Sequence, residues 1–314
     1  MNNNFEQKIF RKIRAIEIKT RKLVESNIGG KYTSAFRGLG IEFHKVREYQ
    51  IGDDISAVDW NVTARTANRN LYVKEFIEER ELQVFMVVDT SASMIYSSVK
   101  TSPEDIDKGQ SAPLKVEIAA ELAAVLALSA IRNNDKVGLV TFSGAVQEYI
   151  PPRKGKRHAL HIVRDILAQT QAKGTTKLST ILENLYRIIN TKAVIFIISD
   201  LLLGEDDNYQ KPLTILSRKH DCVVMKITDP FEQQFPKIGL INMVDPETGM
   251  EKLIDTSSPV FRNKYKKIYE ERENYHRKIL SKAGVEILNI STADDYIPTL
   301  IGFFRNRAKK IRRY

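Results

Sequence analysis

Three oxygen-bearing side chains stand two residues apart in one short stretch of the chain: Asp89, Ser91 and Ser93. In a tight loop, this spacing lets one carboxylate and two hydroxyls converge on a single point. Small oxygen ligands suit a hard cation such as Mg²⁺, which binds about six oxygens at roughly 2.0–2.1 Å and keeps several waters. Alternatively, the serines cap the next helix, a common use of short polar side chains. The triplet alone leaves both interpretations open.

The residues before Asp89 predict the element that positions this triplet. Residues 82–88 are almost entirely apolar, which is typical of a strand buried on both faces of a parallel sheet. In open α/β sheets, ligands bind at the carboxyl ends of the strands, where a rigid scaffold holds the loops. We therefore expect the chemistry of this chain at the carboxyl end of this strand.

An Asp-x-Ser-x-Ser loop after an apolar strand resembles the first part of the metal-ion-dependent adhesion site of von Willebrand factor A-type domains. The resemblance implies two further ligands on separate loops, which makes it more specific than a single short motif. Gly174-Thr175-Thr176 stands where the family supplies a threonine, and Asp200 follows a second apolar stretch where it supplies an aspartate. The implied cofactor is Mg²⁺, with Mn²⁺ or Ca²⁺ as alternatives. Its implied ligands are Asp89, Ser91, Ser93, Thr175 and Asp200.

Strands and helices alternate along the rest of the chain. This alternation predicts an α/β fold with a doubly wound, mainly parallel sheet and right-handed crossover connections. An N-terminal helix over residues 5–26 and a long packed loop over residues 31–65 precede the sheet. The further strands are predicted at residues 71–79, 136–142, 146–150, 193–199, 222–227 and 285–290.

A second resemblance lies between Arg47 and Arg65. Its Arg-Glu-Tyr, Gly-Asp-Asp, Asp-Trp and Ala-Arg elements resemble the signature of a bacterial family of von Willebrand A-like proteins often encoded beside MoxR-type AAA+ ATPases. Ile51 departs from the family's common proline, and Ser56 from its common arginine. We interpret the segment as structural, a turn and a buried Trp60 that pin a long loop, with a catalytic carboxylate site as the alternative. The signature residues are Arg47, Glu48, Tyr49, Gly52, Asp53, Asp54, Asp59, Trp60 and Arg65.

The sequence predicts three parts. Residues 1–80 hold the N-terminal helix and the signature segment, packed on the core. Residues 81–305 form the von Willebrand factor A-like domain, and residues 306–314 form a basic tail. The 314 residues, 42% of them hydrophobic, are ample for a core.

Composition also bounds the environment and the partners. The formal charge of +10 is concentrated at the two ends, without the interleaved aromatic residues of a single-strand binder, so nucleic acid is not expected. The single cysteine, Cys222, falls in a predicted buried strand, which favours a reducing compartment. No secretory signal and no apolar run long enough to span a membrane stand out. We expect a cytoplasmic protein.

Together these observations predict a metal-dependent protein-interaction module rather than an enzyme. The resemblance implies a chaperone or adaptor that works with a MoxR-type AAA+ ATPase, and a protein partner that offers an Asp or Glu to the metal. One alternative is a Mg²⁺-dependent hydrolase in which the same open position activates water, although the three loops hold no histidine to act as a base. The other is nucleic-acid binding through the basic ends.

Overall fold

A computed structural model of the chain describes residues 13–21, 23–24, 29–36, 41–65, 70–78, 82–98, 113–168, 176–204, 207–244 and 250–311. The strands of this part of the chain form one six-stranded sheet and two two-stranded sheets. These strands are β1 Ile41–Glu48, β2 Tyr72–Glu78, β3 Gln83–Asp89, β4 Lys136–Phe142, β5 Val146–Arg153, β6 Ala193–Ser199, β7 Asp221–Thr228, β8 Leu240–Val244, β9 Glu251–Asp255 and β10 Glu286–Ser291.

Helices connect the strands of the large sheet and cover both of its faces. Residues 13–21 are also helical, within the predicted N-terminal helix. The remaining helices are α1 Gly29–Ala35, α2 Trp60–Arg65, α3 Lys115–Arg132, α4 Lys156–Ala168, α5 Leu178–Ile188, α6 Gln210–Lys219, α7 Pro230–Gln233, α8 Pro259–Lys282 and α9 Tyr296–Ile311.

The large sheet has the order β10-β7-β6-β3-β4-β5. Its neighbouring strands are parallel except β4 and β5, which form an antiparallel edge. The predicted doubly wound, mainly parallel sheet is therefore confirmed. Successive strands run outward from β3 in one direction and from β6 in the other, so the strand order reverses between these two central strands. Ligands bind at such a switch point in open α/β sheets.

Strand β3 is buried on both faces, as its apolar sequence predicts. Val84, Met86 and Val88 share one core with α1, α3, α4 and α9. Phe85 and Val87 share the opposite core with α5, α6 and α8. Packing on both faces holds the carboxyl end of the strand, and with it Asp89, in a fixed position.

Residues 31–65, predicted as a long packed loop, contain regular structure instead. Tyr32 in helix α1 and Phe36, the residue after this helix, are buried, and the Phe36 ring lies 5.6 Å from the ring of Phe196 in β6. Strand β1 then pairs with β2 in an antiparallel ribbon. The register of this pair shifts between Phe43 and Lys45. Such a bulge interrupts the two-residue periodicity that identifies a strand in a sequence. Without that periodicity, the turn-rich composition is the remaining signal, and it predicts a loop.

Residues 306–311 of the predicted basic tail belong to helix α9. Arg307 forms ion pairs with Asp221 and, at 2.7 Å, with Glu286. Its guanidinium also lies 4.7 Å from the centre of the Phe36 ring. This basic residue therefore ties the last helix to strand β7, strand β10 and helix α1.

The structure tests the predicted burial of Cys222 and the predicted lack of a membrane-spanning segment. Cys222 is buried, and burial raises the pKa of its thiol to about 12. Among the described residues, none of the helices has the length and apolar character needed to cross a membrane. The division of the chain at residue 80 stays a prediction.

The prediction of a buried Trp60 is wrong. Trp60 is the first residue of helix α2 and is 62% exposed. Ile51 and Ile55 in the same segment are exposed as well. The ribbon of β1 and β2 instead buries the smaller Val58 and Val73, which form an isolated bridge. The sequence predicts burial because tryptophan is large and aromatic. In the structure, the fold of the segment leaves the indole in solvent.

We expect Trp60→Ala to change the free energy of unfolding by no more than about 0.5 kcal/mol, because the side chain is largely in water. Phe196→Ala is the matched control, since this aromatic side chain is fully buried and its truncation typically costs about 3–5 kcal/mol. Thermal and denaturant melts of both variants measure the difference. Equal losses would show that Trp60 packs against the protein in solution.

Candidate functional site

Asp89 and Asp200 come together at the switch point of the large sheet. Asp89 ends β3 and Asp200 follows β6, its parallel neighbour. Both side chains are buried, with 1% of each residue exposed. The hydroxyl of Ser199, the last residue of β6, donates to Asp89 Oδ2 at 2.6 Å. This hydrogen bond joins the ends of β3 and β6 directly.

The loop after β3 gathers the two predicted serines beside Asp89. The backbone amide of Ser91 donates to Asp89 Oδ1 at 2.9 Å, and the hydroxyls of Ser91 and Ser93 lie 3.0 Å apart. Thr90 fixes this loop to β4, because its backbone N–H donates to the carbonyl of Phe142 at 2.8 Å. Ser91 precedes a short 3-10 turn but its side chain makes no capping hydrogen bond. The helix-capping alternative therefore does not describe its hydroxyl.

The predicted threonine ligand, Thr175, lies outside the described residues. Its neighbour Thr176 is fully buried, and its hydroxyl oxygen makes no hydrogen bond within the described part of the chain. The loop that follows Asp200 reaches this segment, because Asp207 accepts a hydrogen bond from the backbone N–H of Leu178 at 2.6 Å. A buried hydroxyl without a partner is uncommon in folded proteins, and Thr176 is therefore a candidate ligand.

Lys115 is the functional residue that sequence reasoning missed. It is fully buried, and its ammonium group donates to Asp200 Oδ2 at 2.6 Å and to Glu232 Oε1. It occupies the first turn of α3, where the helix dipole disfavours a positive charge. The two carboxylates must therefore outweigh that penalty. The sequence offers one weak signal, a lysine at the start of an otherwise alanine-rich apolar helix.

The backbone after Asp200 is held in an unusual conformation. Leu201 has φ 56°, in the left-handed region that non-glycine residues rarely adopt, and its side chain is buried. The amide of Leu201 donates to the Ser199 hydroxyl, and that of Leu202 donates to Asp200 Oδ1 at 3.0 Å. Strained residues of this kind cluster at functional sites. Here the turn places the Leu202 amide against the Asp200 carboxylate.

The two aspartates have different electrostatic surroundings. Burial, and then the charge of Asp200, raises the pKa of Asp89 to about 7, although hydrogen bonds from Ser199 and Ser91 oppose the shift. Burial alone would lower the pKa of Lys115, but the carboxylates of Asp200 and Glu232 outweigh it and raise that pKa. The negative charge on Asp200 is therefore balanced by a lysine, whereas Asp89 has only neutral hydrogen-bond donors.

The oxygen groups at this edge fit a hard cation. We use the name oxygen cluster for Asp89, Ser91 and Ser93, which hydrogen bonds join, together with Thr176, whose carbonyl accepts from the amide of Gly204 in the loop after β6. The four residues offer one carboxylate and three neutral hydroxyls, and the Thr176 hydroxyl makes no hydrogen bond among the described residues. Hard cations such as Mg²⁺ favour such ligands and retain water at the remaining positions. No group of three or more His, Cys, Asp or Glu side chains suited to a metal occurs in the described ranges. A metal here would therefore depend on the hydroxyls.

The signature segment, residues 47–65, is held by its own side chains. Arg47 forms a two-pronged pair with Asp53, with nitrogen–oxygen distances of 2.7 and 2.8 Å. Asp53 also accepts from the amide of Gln50, and this turn contains Gly52 at φ 108°. The Arg47 guanidinium and the Gln50 amide lower the pKa of Asp53 to about 2. The Arg47–Asp53 pair thus holds the end of β1 against the turn that follows it.

The other carboxylates of the signature segment begin short helical turns. Asp54 accepts from the amide of Ser56 at 2.9 Å, and Asp59 accepts from the amide of Asn61 at 3.0 Å at the start of α2. Glu48 accepts from the side chain of Asn70, while the amide of Tyr49 donates to the carbonyl of Leu71 at 2.8 Å. Arg65 is the last residue of α2. These bonds join the segment to itself and, through Asn70 and Leu71, to the residues that precede β2. The structural role of the segment stays a prediction.

Asp89→Asn tests the charge of this carboxyl group. An aspartate with a raised pKa stays protonated in the folded chain between its ordinary value of 3.8 and about 7. The folded state then binds more protons than the unfolded state, so the free energy of unfolding falls as pH rises through this window. We expect the neutral variant, in EDTA at pH 8, to be more stable than the wild type by at least about 1 kcal/mol.

Thermal melts across this pH range measure the effect, and the difference between the two proteins should vanish near pH 4. A wild type that keeps its stability from pH 4 to pH 8 would mean that the charge on Asp89 is compensated in solution.

Comparison with known proteins relates the whole chain to others. The "Uncharacterized protein Rv1480" of Mycobacterium tuberculosis is 24% identical over 97% of this chain and 91% of its own length. The solved structure of the conserved hypothetical protein BatB from Bacteroides thetaiotaomicron is similar over 74% of this chain and all of its own, with 15% identity and a TM-score of 0.45. A von Willebrand factor type A structure from Catenulispora acidiphila is similar over 73% of this chain and 42% of its own, with 12% identity and a TM-score of 0.37. The model of the protein family of unknown function DUF58 matches residues 45–275, more than half of the sequence, and the chain therefore belongs to the DUF58 family.

Proposed function

We propose that the chain is a metal-dependent protein-interaction module whose cation is held by the oxygen cluster. The observation that carries the proposal is the buried hydroxyl of Thr176, which makes no hydrogen bond within the described part of the chain and stands beside the loop after β6, the strand next to the one that ends in Asp89. Thr175 remains a further proposed ligand, and Asp200 acts directly or through a water. Mg²⁺ is the proposed ion, with Mn²⁺ or Ca²⁺ as alternatives.

The chemistry of the oxygen cluster favours binding over catalysis. Neutral hydroxyls cancel less of the cation's charge than carboxylates do, so the bound ion can still accept an acidic side chain from a partner. Metal-assisted hydrolysis would also need a base. The histidines with described contacts lie elsewhere: His158 bonds the carbonyl of Val137, His161 pairs with Asp165, and His276 bonds Tyr209.

A groove beside the site suits an acidic partner. It lies between α7 and α8 and has a volume of about 750 Å³. Lys237, Arg262 and Lys266 line it together with aromatic side chains, and Glu270 is its one acidic lining residue. Helix α7 also carries Glu232, the second partner of Lys115. An acidic segment bound here would lie next to the sheet edge that holds the oxygen cluster.

We propose a MoxR-type AAA+ ATPase, or a protein that such an ATPase remodels, as the partner. The support is the resemblance of the signature segment to a family often encoded beside these ATPases. In this arrangement the chain acts as a chaperone or adaptor, and the partner contributes an Asp or Glu to the cation.

Binding of the purified full-length chain to a purified MoxR-type ATPase from the same organism tests the proposal. With Mg²⁺ present, we expect a complex that EDTA dissociates and that Ser91→Ala combined with Ser93→Ala weakens at least tenfold, about 1.4 kcal/mol. Ser129→Ala is the matched control, because this buried serine bonds the carbonyl of Val125 within α3. Binding that ignores EDTA and both serine changes but falls with added salt would instead indicate a charge-driven contact through the basic ends.

A further inference from the structure

The site already contains a positive charge supplied by the chain itself. The ammonium group of Lys115 lies between Asp200 and Glu232, and its side chain is 1% exposed. These carboxylates come from different parts of the fold, since Asp200 follows β6 and Glu232 belongs to α7. A buried ammonium is stable only when it is paired and hydrogen-bonded. Lys115 therefore has two defined partners rather than one.

Both oxygens of Asp200 accept hydrogen bonds, and one of these comes from a charged group, the ammonium of Lys115. Asp200 Oδ2 accepts from the ammonium, and Asp200 Oδ1 accepts from the amide of Leu202. A divalent cation bound at the oxygen cluster would lie close to this ammonium, in a buried region where like charges repel strongly. Asp89 offers no comparable conflict, because the groups that donate to its oxygens, among them the Ser91 amide and the Ser199 hydroxyl, carry no charge.

We infer that Lys115 is an internal cation that competes with the divalent metal for Asp200, and that Glu232 accepts the ammonium when the metal binds. The inference rests on the proposed metal-binding function. It makes Lys115 a positioning residue that sets the metal affinity of the site without itself being a ligand.

The same lysine connects the site to the neighbouring loops. Glu232 accepts from the backbone amide of Asp229 at 3.2 Å, which closes the first turn of α7. Asp229 in turn accepts from the amide of Ser98 at 2.8 Å and from the hydroxyl of Thr292 at 3.0 Å. A shift of Lys115 toward Glu232 therefore neutralises more of the negative charge on α7, the helix that borders the groove lined by Lys237, Arg262 and Lys266.

A purely structural role for Lys115 predicts the opposite result from competition. If the lysine only holds the two carboxylates together, its removal disorders the site, and metal affinity falls or stays the same. If it competes, its removal leaves Asp200 and Glu232 without a cation, and the metal binds more tightly. The sign of the change separates the two roles.

Lys115→Met in the full chain tests the inference by calorimetric titration with Mg²⁺. We expect the dissociation constant to fall at least about tenfold, because one buried positive charge no longer opposes the ion. We also expect Mg²⁺ to raise the melting temperature of the variant more than that of the wild type. Lys226→Met is the comparison variant, since Lys226 is a second buried lysine near the charges of Asp200 and Glu232 but its ammonium pairs with Glu273. It should change the affinity less than Lys115→Met does.

Glu232→Gln provides the opposite change and an independent test if Lys115→Met does not fold. With Glu232 neutral, the ammonium is held by Asp200 alone, and the Mg²⁺ dissociation constant should rise several-fold. An unchanged or smaller constant in this variant overturns the inference.

The outcomes also distinguish this inference from the function on which it rests. A wild type that binds Mg²⁺ together with a Lys115→Met variant that binds it equally or more weakly overturns the role of Lys115 alone. Absence of Mg²⁺ binding in both proteins overturns the metal site and the inference together. Binding by the variant alone supports the lysine as a replacement for the metal and contradicts metal dependence in the wild type.

Discussion

The burial of four ionisable side chains at one edge of the sheet is the constraint on which the site depends. Asp89, Asp200, Lys115 and Glu232 are each less than 10% exposed, although unpaired charges are costly away from water. The lysine lowers this cost for Asp200 and Glu232 by bridging them. Removing one member of the bridged set, Asp200, Lys115 and Glu232, leaves an uncompensated buried charge and is strongly destabilising. The site is therefore a unit rather than a set of independent ligands.

The scaffold makes this arrangement possible because it fixes each member from a different direction. Strands β3 and β6 are packed on both faces, so their carboxyl ends cannot separate without opening a core. Helix α3 presents Lys115 from one side of the sheet edge, and α7 presents Glu232 next to the end of β7. Long-range packing thus brings together charges that lie more than 100 residues apart in the chain.

The sequence predicts well what strand periodicity and local loop spacing determine. Apolar runs before Asp89 and Asp200 identify two buried strands, and the ends of parallel neighbours meet at one sheet edge. The role of Lys115 cannot be predicted in this way, because the packing of α3 and α7 determines which carboxylates it contacts. Trp60 shows the reverse failure, since a large aromatic suggests burial while the local ribbon leaves it exposed. Arg307, expected in a basic tail, packs on Phe36 for the same tertiary reason.

The two aspartates share one motif but present unequal sites to a cation. Asp200 is matched by an ammonium group, whereas the neighbours of Asp89 are hydroxyls and an amide that carry no net charge. The uncompensated negative potential of this edge therefore lies on the β3 side. The hydroxyl of Thr176, which makes no hydrogen bond among the described residues, is the additional neutral ligand that we propose for the oxygen cluster. A cation at this edge would gain most next to Asp89, whose hydrogen-bond donors are uncharged, and would be opposed by the ammonium group of Lys115 that pairs with Asp200.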